Sequence, residues 1–325
     1  MRILVTGNAG FIGFHLCKKF LERGDYVVGI DNINHYYDIK LKRDRLNILK
    51  KNFENKYKFF KVDILNKQKI FRIFKKYKFD RVVHLAAQAG IRKSIVDPEI
   101  YVKSNLLGFF NVIEASNKFK IPHFIYASSS SVYGENLKIP FSESDIADKP
   151  KQIYAATKKS NELIAYSYSS LYKLKTTGLR FFTVFGPWGR PDMAIYKFTK
   201  RIIEKKKIDI YNYGNHVRDL SYIDDVINLT TLATDDINFK NEKTPHRIFN
   251  LGGGSPIKLK FLVNTIENIL NIKCKKNYLS LQKGDMVKTH SNSKKILRFF
   301  NYKIKPNNYK NIKKFIDWYL VYYNK

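Results

Sequence analysis

Cysteine is scarce in this chain of 325 residues, which contains only Cys17 and Cys274. Two cysteines cannot build a framework of several disulfides, which excludes a disulfide-rich secreted scaffold. No apolar run reaches about 18 residues, the length that a membrane-spanning helix needs. The start "MRILVTG" enters a strand pattern directly and lacks the apolar segment and cleavage site of a signal peptide. These absences predict a cytoplasmic protein without a membrane span, in which Cys17 is a buried apolar side chain.

Acidic residues are few compared with basic ones. The chain has 28 Asp and Glu against 60 Lys and Arg, and its formal net charge is +32. Such a charge is typical of proteins that contact phosphates of nucleic acids or anionic membranes. The lysines are spread through periodic segments, however, and Asn, Ile, Phe and Tyr are abundant too. We interpret the charge as compositional drift, with polyanion affinity as the open alternative. No dedicated nucleic-acid or membrane partner is expected.

Strand-like and helix-like segments alternate over the first 180 residues or so. Strands are predicted at 2–7, 26–31, 58–64, 81–87, 123–129 and 176–182, and helices at 12–24, 66–78, 98–118 and 152–173. This alternation predicts a Rossmann-type doubly wound parallel sheet with helices on both faces. Later come helices near 193–206 and 222–235 and a lone strand at 247–253. We expect one domain at 1–183 and a smaller mixed α/β domain at 184–325, with later strands free to return to the main sheet.

A glycine-rich turn follows the first predicted strand. In "GNAGFIG", Gly7, Gly10 and Gly13 form a variant of the dinucleotide-binding fingerprint. The glycines allow a tight turn and a close approach to a pyrophosphate, which the helix N-terminus attracts. Asp31 ends the second strand and can accept hydrogen bonds from a ribose, which favours NAD because a carboxylate repels the 2′-phosphate of NADP. Asp63 is expected near the adenine, with a plain strand-end carboxylate as the alternative.

The segment "YAATK" places Tyr154 and Lys158 one turn apart on the same face of a predicted helix. A phenol, with a reference pKa of about 10, is a poor base at neutral pH. A nearby ammonium and a positively charged nicotinamide both favour the phenolate. Tyr154 can then accept a proton from a substrate hydroxyl while a hydride passes to NAD. This common pattern gains weight from the dinucleotide turn and from the serine-rich strand end "YASSSSVYG" (126–134).

Four segments together resemble the extended short-chain dehydrogenase/reductase superfamily: "GNAGFIG", "YASSSSVYG", "YAATK" and "LRFFTVFGPWGRPDM". Within it, the chain is most similar to the UDP-glucuronate 4-epimerases, through "DNINHYYD", "SSSSVYG", "GPWGRPDM" and "LQKGDM". The resemblance implies an NAD-dependent isomerase that converts UDP-glucuronate to UDP-galacturonate through a 4-keto intermediate. It also implies a role in polysaccharide biosynthesis and a homodimer that pairs the helices at 98–118 and 152–173. The first domain would bind NAD and the second mainly the UDP-sugar.

The resemblance assigns the catalytic and cofactor roles. Ser129 matches the catalytic Ser/Thr that hydrogen-bonds the sugar O4, and Tyr154 matches the base. Lys158 is expected to hold the nicotinamide ribose and to tune Tyr154. Asn105, in "NLLG", matches an asparagine of the cofactor-side framework and is counted with the cofactor-binding residues. No metal ligand is implied.

Substrate contacts are implied as well. Three hydroxyls and an arginine are expected to bind the C6 carboxylate: Ser130, Ser131, Thr183 and Arg190. Arg218 in "VRD" and Asp285 in "KGD" match residues that grip the UDP moiety. Each assignment has a plain structural alternative. Arg218 can be a salt-bridge partner of Asp219 or Asp224, Asp285 a solvated loop acid, and the two serines hydroxyls that cap the strand end.

Ser130 and Ser131 stand where related C4-oxidising enzymes carry acids. The 4,6-dehydratases have an Asp-Glu pair there, and the UDP-glucuronate decarboxylases have a glutamate in that region. Serines cannot supply a carboxylate for later steps on the ketone, so the sequence favours simple return of the hydride to the other face of C4. We hypothesise that neutral hydroxyls hold the β-keto acid without a strong countercharge, which disfavours loss of CO₂.

Two alternatives remain open at this point. Gln282 lies three residues before Asp285, where UDP-galactose 4-epimerases commonly have an arginine. This favours an acid sugar but does not exclude UDP-glucose or UDP-N-acetylglucosamine as the substrate of a 4-epimerase. The alternative of another class is a Rossmann-fold protein kept as a polyanion-binding or regulatory module. Such a module needs no base, so Tyr154, Lys158 and Ser129 argue for active chemistry.

Overall fold

The computed structural model describes residues 1–240 and 242–325. The strands are β1 (Arg2–Thr6), β2 (Tyr26–Asp31), β3 (Tyr57–Lys61), β4 (Arg81–His84), β5 (Phe124–Ser129), β6 (Thr176–Phe181), β7 (Thr183–Phe185), β8 (Ile208–Tyr211), β9 (Val217–Tyr222), β10 (His246–Leu251), β11 (Pro256–Lys258) and β12 (Lys276–Leu279). The helices are α1 (Phe11–Glu22), α2 (Ile39–Asn52), α3 (Lys67–Tyr77), α4 (Ile91–Val96), α5 (Glu99–Tyr101), α6 (Gly108–Lys118), α7 (Ile153–Tyr172), α8 (Ala194–Ile203), α9 (Ile223–Asp235), α10 (Leu259–Leu270), α11 (Lys294–Phe299) and α12 (Asn308–Tyr323). A π-helical segment spans Val102–Leu107, and 3₁₀ turns span Ser130–Tyr133 and Asn212–Gly214.

Seven strands form one sheet in the order β10-β6-β5-β4-β1-β2-β3. Every neighbouring pair in it is parallel. The predicted doubly wound parallel sheet is therefore confirmed. The strand order reverses between β1 and β4, and ligands of such sheets bind in the crevice outside the carboxyl ends of the strands at this point. The glycine-rich turn leaves β1 at that edge.

Helices cover both faces of the sheet, which explains why its strands read as continuous apolar runs. One core cluster contains Phe14 and Phe20 of α1. A second cluster contains Phe74 of α3 and Phe109 of α6. Buried residues of β1 alternate between the two clusters, with Val5 in the first and Leu4 in the second.

The sequence-based prediction left some elements of the structure open and differs from others. The strand predicted at 247–253 is β10, which pairs in parallel with β6 and so joins the main sheet. The helix predicted at 98–118 is interrupted by the π-helical segment. Helix α2 was not predicted, because its sequence "IKLKRDRLNILKKN" is rich in charge. Its buried leucines at 41, 46 and 49 were the signal that could have revealed it.

Two smaller sheets complete the fold, in the orders β11-β9-β7 and β12-β8. Strand β9 pairs in parallel with β7 and antiparallel with β11. These pairings bring the segment that follows β6 next to the segment that contains Arg218. Over residues 1–240 and 242–325, no helix has both the length and the apolar character required to cross a bilayer.

Candidate active site

The glycine-rich turn forms one end of a cleft at the carboxyl edge of the main sheet. Gly7 has φ of +73°, and a Cβ there would lie 2.7 Å from the Ala86 nitrogen. A Cβ on Gly13 would lie 2.2 Å from the Gly7 oxygen. Gly10 is the N-cap of α1, whose first turn carries no acid. The turn therefore leaves backbone amides and a helix N-terminus accessible to a pyrophosphate, and it fits the predicted dinucleotide.

Two carboxylates follow the next strands of the sheet and line the same cleft. Asp31 accepts hydrogen bonds from the backbone nitrogens of Ile33, at 2.7 Å, and Ala9, at 3.2 Å. Asp63 accepts from the Asn32 side chain at 2.8 Å. An ionised carboxylate has about four acceptor positions. Asp31 therefore keeps acceptor capacity for a ligand, and its contact with a ribose stays a prediction.

Two basic side chains of α2, which sequence reasoning missed, lie next to Asp31. Lys42 lines the cleft and donates to the carbonyl oxygen of Asn34 at 2.8 Å. Arg45 is fully buried and donates to the carbonyl oxygen of Ala9 at 2.9 Å. Burial raises the pKa of Asp31, and the charges of Lys42 and Arg45 oppose that rise. Both cations thus favour the ionised form of Asp31.

Ser129, Tyr154 and Lys158 lie together in the cleft. Ser129 ends β5, while Tyr154 and Lys158 lie one turn apart near the start of α7. The Ser129 hydroxyl lies close enough to the Tyr154 phenol to lower the pKa of that phenol. The Lys158 ammonium donates to the carbonyl oxygen of Ala127 at 2.8 Å. A hydroxyl, a phenol and an ammonium therefore meet in the same cleft as the dinucleotide-binding turn.

Burial dominates the electrostatics of this group. It raises the pKa of Tyr154, while the Ser129 side chain and the charge of Arg190 lower it. The Lys158 ammonium donates to the Ala127 carbonyl, and its role in tuning Tyr154 stays a prediction. Burial lowers the pKa of Lys158 to about 8. Desolvation is the cause in both cases, since it disfavours the charged form of each group.

Asn105 lies behind the cleft and does not line it. Its side chain accepts from the backbone nitrogen of Gln88 at 2.8 Å and donates to the Gln88 carbonyl at 3.1 Å. It also donates to Thr157 at 3.1 Å, and Thr157 donates to the carbonyl oxygen of Tyr154 at 2.8 Å. Asn105 therefore connects the π-helical segment to the cleft wall and to the helix that carries the base, as expected of a framework residue.

The hydroxyls predicted to bind a carboxylate flank the lining of the cleft. Ser130 and Ser131 open the 3₁₀ turn, and the backbone nitrogen of Ser131 donates to the Ser129 hydroxyl at 3.2 Å. Ser131 is buried and Ser130 is half-buried. Thr183 is half-buried between two residues that line the cleft, Phe182 and Val184. The hydroxyl that caps this turn is that of Ser129, so carboxylate binding by Ser130 and Ser131 stays a prediction.

Arg190 lines the cleft with a carboxylate already beside it. Its Nε donates to Asp192 at 3.0 Å, and a second nitrogen donates to the other carboxylate oxygen. The Tyr36 hydroxyl donates to Asp192 at 3.2 Å. The charge of Arg190 lowers the pKa of Asp192 and opposes the effect of burial. An anion that enters here therefore meets a guanidinium whose charge is partly compensated.

A buried network of hydrogen bonds lies next to Ser129. Ser128, next to Ser129, donates to Glu162 at 2.6 Å. Arg180 of β6 donates to both oxygens of Glu162, each at 2.8 Å, and to the Tyr133 hydroxyl at 2.9 Å. The network joins β5, β6 and α7. Ser128 thus binds a buried carboxylate.

Arg218 and Asp285 form a separate cluster that is not part of the cleft lining. Arg218 donates to the carbonyl oxygens of Val287, at 2.9 Å, and of its neighbour Val217, at 3.1 Å. Asp285 accepts from Arg92 at 3.3 Å, a residue that sequence reasoning missed. Burial lowers the pKa of Arg218, and the charge of Asp285 opposes this. Asp285 is therefore not simply a solvated loop acid.

The sequence offered Asp219 and Asp224 as alternative salt-bridge partners of Arg218. Asp219 accepts from the backbone nitrogens of Ser291, at 2.7 Å, and Gly254, at 3.2 Å. Asp224 lies 4.0 Å from Lys314. Among residues 1–240 and 242–325, neither acid forms an ion pair with Arg218. Arg92 pairs with Asp285, whose charge also acts on Arg218, so two cations lie near one carboxylate at this position.

The parallel sheet carries a glycine turn after β1, acids after β2 and β3, and a Ser-Tyr-Lys group between β5 and α7. Together these features define a dinucleotide-binding enzyme. The model of the NAD dependent epimerase/dehydratase family matches residues 3–252. The chain belongs to that family.

The chain is similar to several proteins of known sequence and structure. The chain is 47% identical to "Protein CapI" of Staphylococcus aureus, over the full length of both chains. It is 43% identical to UDP-glucuronate 4-epimerase 4 of Arabidopsis thaliana, over 99% of this chain and 76% of that protein. Among solved structures, UDP-glucuronic acid 4-epimerase from Bacillus cereus, in complex with UDP-glucuronic acid and NAD, superposes with a TM-score of 0.91. That chain is 32% identical, and 98% of each chain is covered.

Proposed function

We propose that this protein catalyses the NAD-dependent C4 epimerisation of a UDP-hexuronate, UDP-glucuronate to UDP-galacturonate. One observation carries the proposal: a single cleft holds the glycine turn, Asp31 and the group formed by Ser129, Tyr154 and Lys158. Relatives named UDP-glucuronate 4-epimerase support the choice of substrate.

The cofactor half of the cleft fits NAD. The amides of the glycine turn would hold the pyrophosphate, because a Cβ at Gly7 or Gly13 would fill that space. Asp31 would bind the adenosine ribose, Asp63 would lie near the adenine, and Lys158 would hold the nicotinamide ribose. When bound, NAD supplies the group that accepts a hydride from C4 of the sugar and returns it.

The catalytic half supplies the proton transfers. Tyr154, as phenolate, takes the proton of the C4 hydroxyl and later returns it. Ser129 lies close to the phenol and orients the same sugar oxygen. Arg190 already lowers the pKa of Tyr154 in the protein alone. A positively charged nicotinamide adds to that effect, so the phenolate becomes accessible at neutral pH.

The uronate carboxylate would lie beside the 3₁₀ turn. Ser130, Ser131 and Thr183 offer neutral hydroxyls, and Arg190 is partly compensated by Asp192. A weak countercharge keeps the carboxylate in place while the 4-keto intermediate rotates, and it disfavours loss of CO₂. A Ser131→Glu variant tests this reasoning. We expect it to lose epimerase activity and to release a decarboxylated product, and full epimerase activity with no such product would contradict the hypothesis.

The UDP moiety would bind at the cluster of Arg218 and Asp285. Arg92 and Arg218 carry two positive charges against one carboxylate there, which suits a diphosphate. Aromatic and aliphatic side chains of the helical segment 102–118 and of α7 are more than a third exposed, namely Leu107, Phe110, Leu163 and Tyr166. Their exposure supports a homodimer that pairs these helices. We place the enzyme in the cytoplasm, where its free cysteines stay reduced, and in polysaccharide biosynthesis.

The test is a comparison of substrates. The purified protein is incubated separately with UDP-glucuronate, UDP-glucose and UDP-N-acetylglucosamine, and the products are followed by proton NMR after the bound cofactor has been identified. We expect UDP-galacturonate to form fastest, without CO₂. Turnover of a neutral sugar alone would keep the epimerase mechanism and overturn the uronate assignment. No turnover of any of the three would overturn the proposal.

A further inference from the structure

The wall of the cleft that follows β4 contains a side chain with no role in the mechanism so far. This wall starts at the glycine turn, where Ala86 packs against Gly7. Farther along, Gln88 approaches Tyr101, whose ring lies edge-on to that of Tyr154 with 6.1 Å between centroids. Gln88 therefore lies on the chain segment that runs from the glycine turn towards the neighbourhood of Tyr154.

The backbone of Gln88 is fully used by the protein. Asn105 contacts both its amide nitrogen, at 2.8 Å, and its carbonyl oxygen, at 3.1 Å. Such a two-point clamp fixes the direction of the chain at this residue. Gln88 is one of the residues that line the cleft.

The side chain of Gln88, in contrast, has a donor that nothing uses. It is only 2% exposed, and its Nε2 has no hydrogen-bond acceptor within residues 1–240 and 242–325. Burial raises the pKa of the nearby Tyr101 hydroxyl to about 12 and Gln88 opposes that rise, but no hydrogen bond of acceptable geometry joins the two. Other buried polar atoms without a partner, such as those of Asn8 and Gln152, belong to residues outside the cleft lining.

A buried N–H without an acceptor is costly, so a donor at the wall of a ligand cleft points to an acceptor on the ligand. We propose that Gln88 is a ligand-binding residue that donates a hydrogen bond to an oxygen of the bound pair of molecules close to the base. Its place on the segment that runs from the glycine turn towards Tyr154 restricts that oxygen to two sources. One is the nicotinamide nucleoside of NAD, and the other is the hexuronosyl group. The inference rests on the proposed function.

Gln88→Met tests the inference, because methionine keeps the length of the side chain and removes the donor. Three quantities are measured: the unfolding temperature without added ligand, the Kd for NAD, and KM and kcat for UDP-glucuronate at saturating NAD. The unbound protein loses no hydrogen bond, so its unfolding temperature should stay the same or rise. We expect one of the two ligands to bind about five- to tenfold more weakly, as for one lost hydrogen bond.

The two ligands distinguish the source of the oxygen. A higher Kd for NAD assigns it to the nicotinamide nucleoside, and a higher KM for UDP-glucuronate with unchanged Kd for NAD assigns it to the sugar. Gln152→Met is the matched control. Its Nε2 donates to the carbonyl oxygen of Gly284 at 2.9 Å, so this variant should unfold at a lower temperature without ligand.

The inference fails if Gln88→Met changes the Kd, KM and kcat by less than twofold, or if it lowers the unfolding temperature as Gln152→Met does. Should Gln88→Met fail to fold, Gln88→Glu keeps the shape and, when ionised, offers no donor. Failure of both variants to fold would show a structural role and overturn the inference. A wild-type protein that binds NAD but does not turn over UDP-glucuronate would instead overturn the proposed function, which separates the two failures.

Discussion

Two charged sites in this molecule are built in opposite ways. Near the proposed catalytic serine, Glu162 and Arg180 are each about 2% exposed, and two guanidinium nitrogens lie 2.8 Å from the carboxylate. At the proposed UDP site, Arg218 and Asp285 are half-buried. There Arg218 donates to backbone carbonyls, and Asp285 meets Arg92 at 3.3 Å.

This difference distinguishes charged residues that stabilise the fold from charged residues that can bind a ligand. A buried charge whose hydrogen bonds are filled by the protein holds elements together, and it has nothing left to offer a ligand. A half-buried charge with weak internal partners keeps donors for a ligand. Substitution of a charged residue of the first kind should therefore lower the stability of the protein. Substitution of a charged residue of the second kind should raise KM for the ligand.

Tyr154 is expected to produce the largest effect of all and serves as the reference for both sites. Tyr154→Phe removes the base and should lower kcat by about a thousandfold, while NAD remains bound. The measurement is kcat for UDP-glucuronate together with the NAD content of the purified variant. Tyr168→Phe, on the far part of the same helix, is the control. A loss of less than tenfold in kcat would mean that Tyr154 is not the base.

Glu162→Gln should give the largest loss of stability. It leaves Arg180 buried without a full countercharge, so the free energy of unfolding should fall by about 3–5 kcal/mol. The measurement is denaturant unfolding. Asp317→Asn breaks an exposed ion pair with Lys313 and should cost less than about 1 kcal/mol. Equal losses in the two variants would contradict the supporting role of the buried pair.

Lys158 should link stability to pH. Its pKa falls from 10.5 in the unfolded chain to about 8 in the folded protein through burial. Between these pH values the unfolded chain binds a proton that the folded protein does not, so stability rises with pH. Lys158→Met should remove a rise of up to about 3 kcal/mol between pH 8 and 10.5 in the ligand-free protein. Parallel unfolding profiles of variant and wild type over this range would refute the assignment.

Arg218→Leu and Asp285→Asn should have the smallest effect on the protein itself. We expect KM for the UDP-sugar to rise about tenfold in Arg218→Leu, because a charge-assisted hydrogen bond to the ligand is lost. Asp285→Asn should raise KM less. In both variants kcat should change by less than threefold and the free energy of unfolding by less than about 1 kcal/mol. A large loss of stability with unchanged KM would place these residues with the supporting pair.

The sequence predicted well where function and local structure use the same residues. Gly7, Gly10 and Gly13 indicate a turn whose geometry excludes a Cβ. Tyr154 and Lys158 could be paired because their spacing is that of one helical turn. The six strands before residue 183 were recognisable as apolar runs because helices cover both faces of the sheet.

Contacts between distant segments were out of reach of such reasoning. Arg92 and Asp285 are 193 residues apart, and no spacing rule relates them. Arg45 was missed because α2 reads as a charged segment, although its guanidinium is fully buried against Ala9. Gln88 could not be singled out either, since its importance lies in a missing acceptor, which only the packed structure reveals.

The pairing of β10 with the main sheet has a consequence for how the chain folds during its synthesis. Strand β6 pairs with β10, yet residues 182–245 lie between them. During synthesis, a chain that ends near residue 183 therefore exposes β6 as an open edge with free backbone donors and acceptors, a known site of aggregation. The nascent cofactor-binding half is completed only when the ribosome has delivered the segment after it. Truncated products that stop between these strands should accumulate in the insoluble fraction, and a separately expressed first half should need the second to stay in solution.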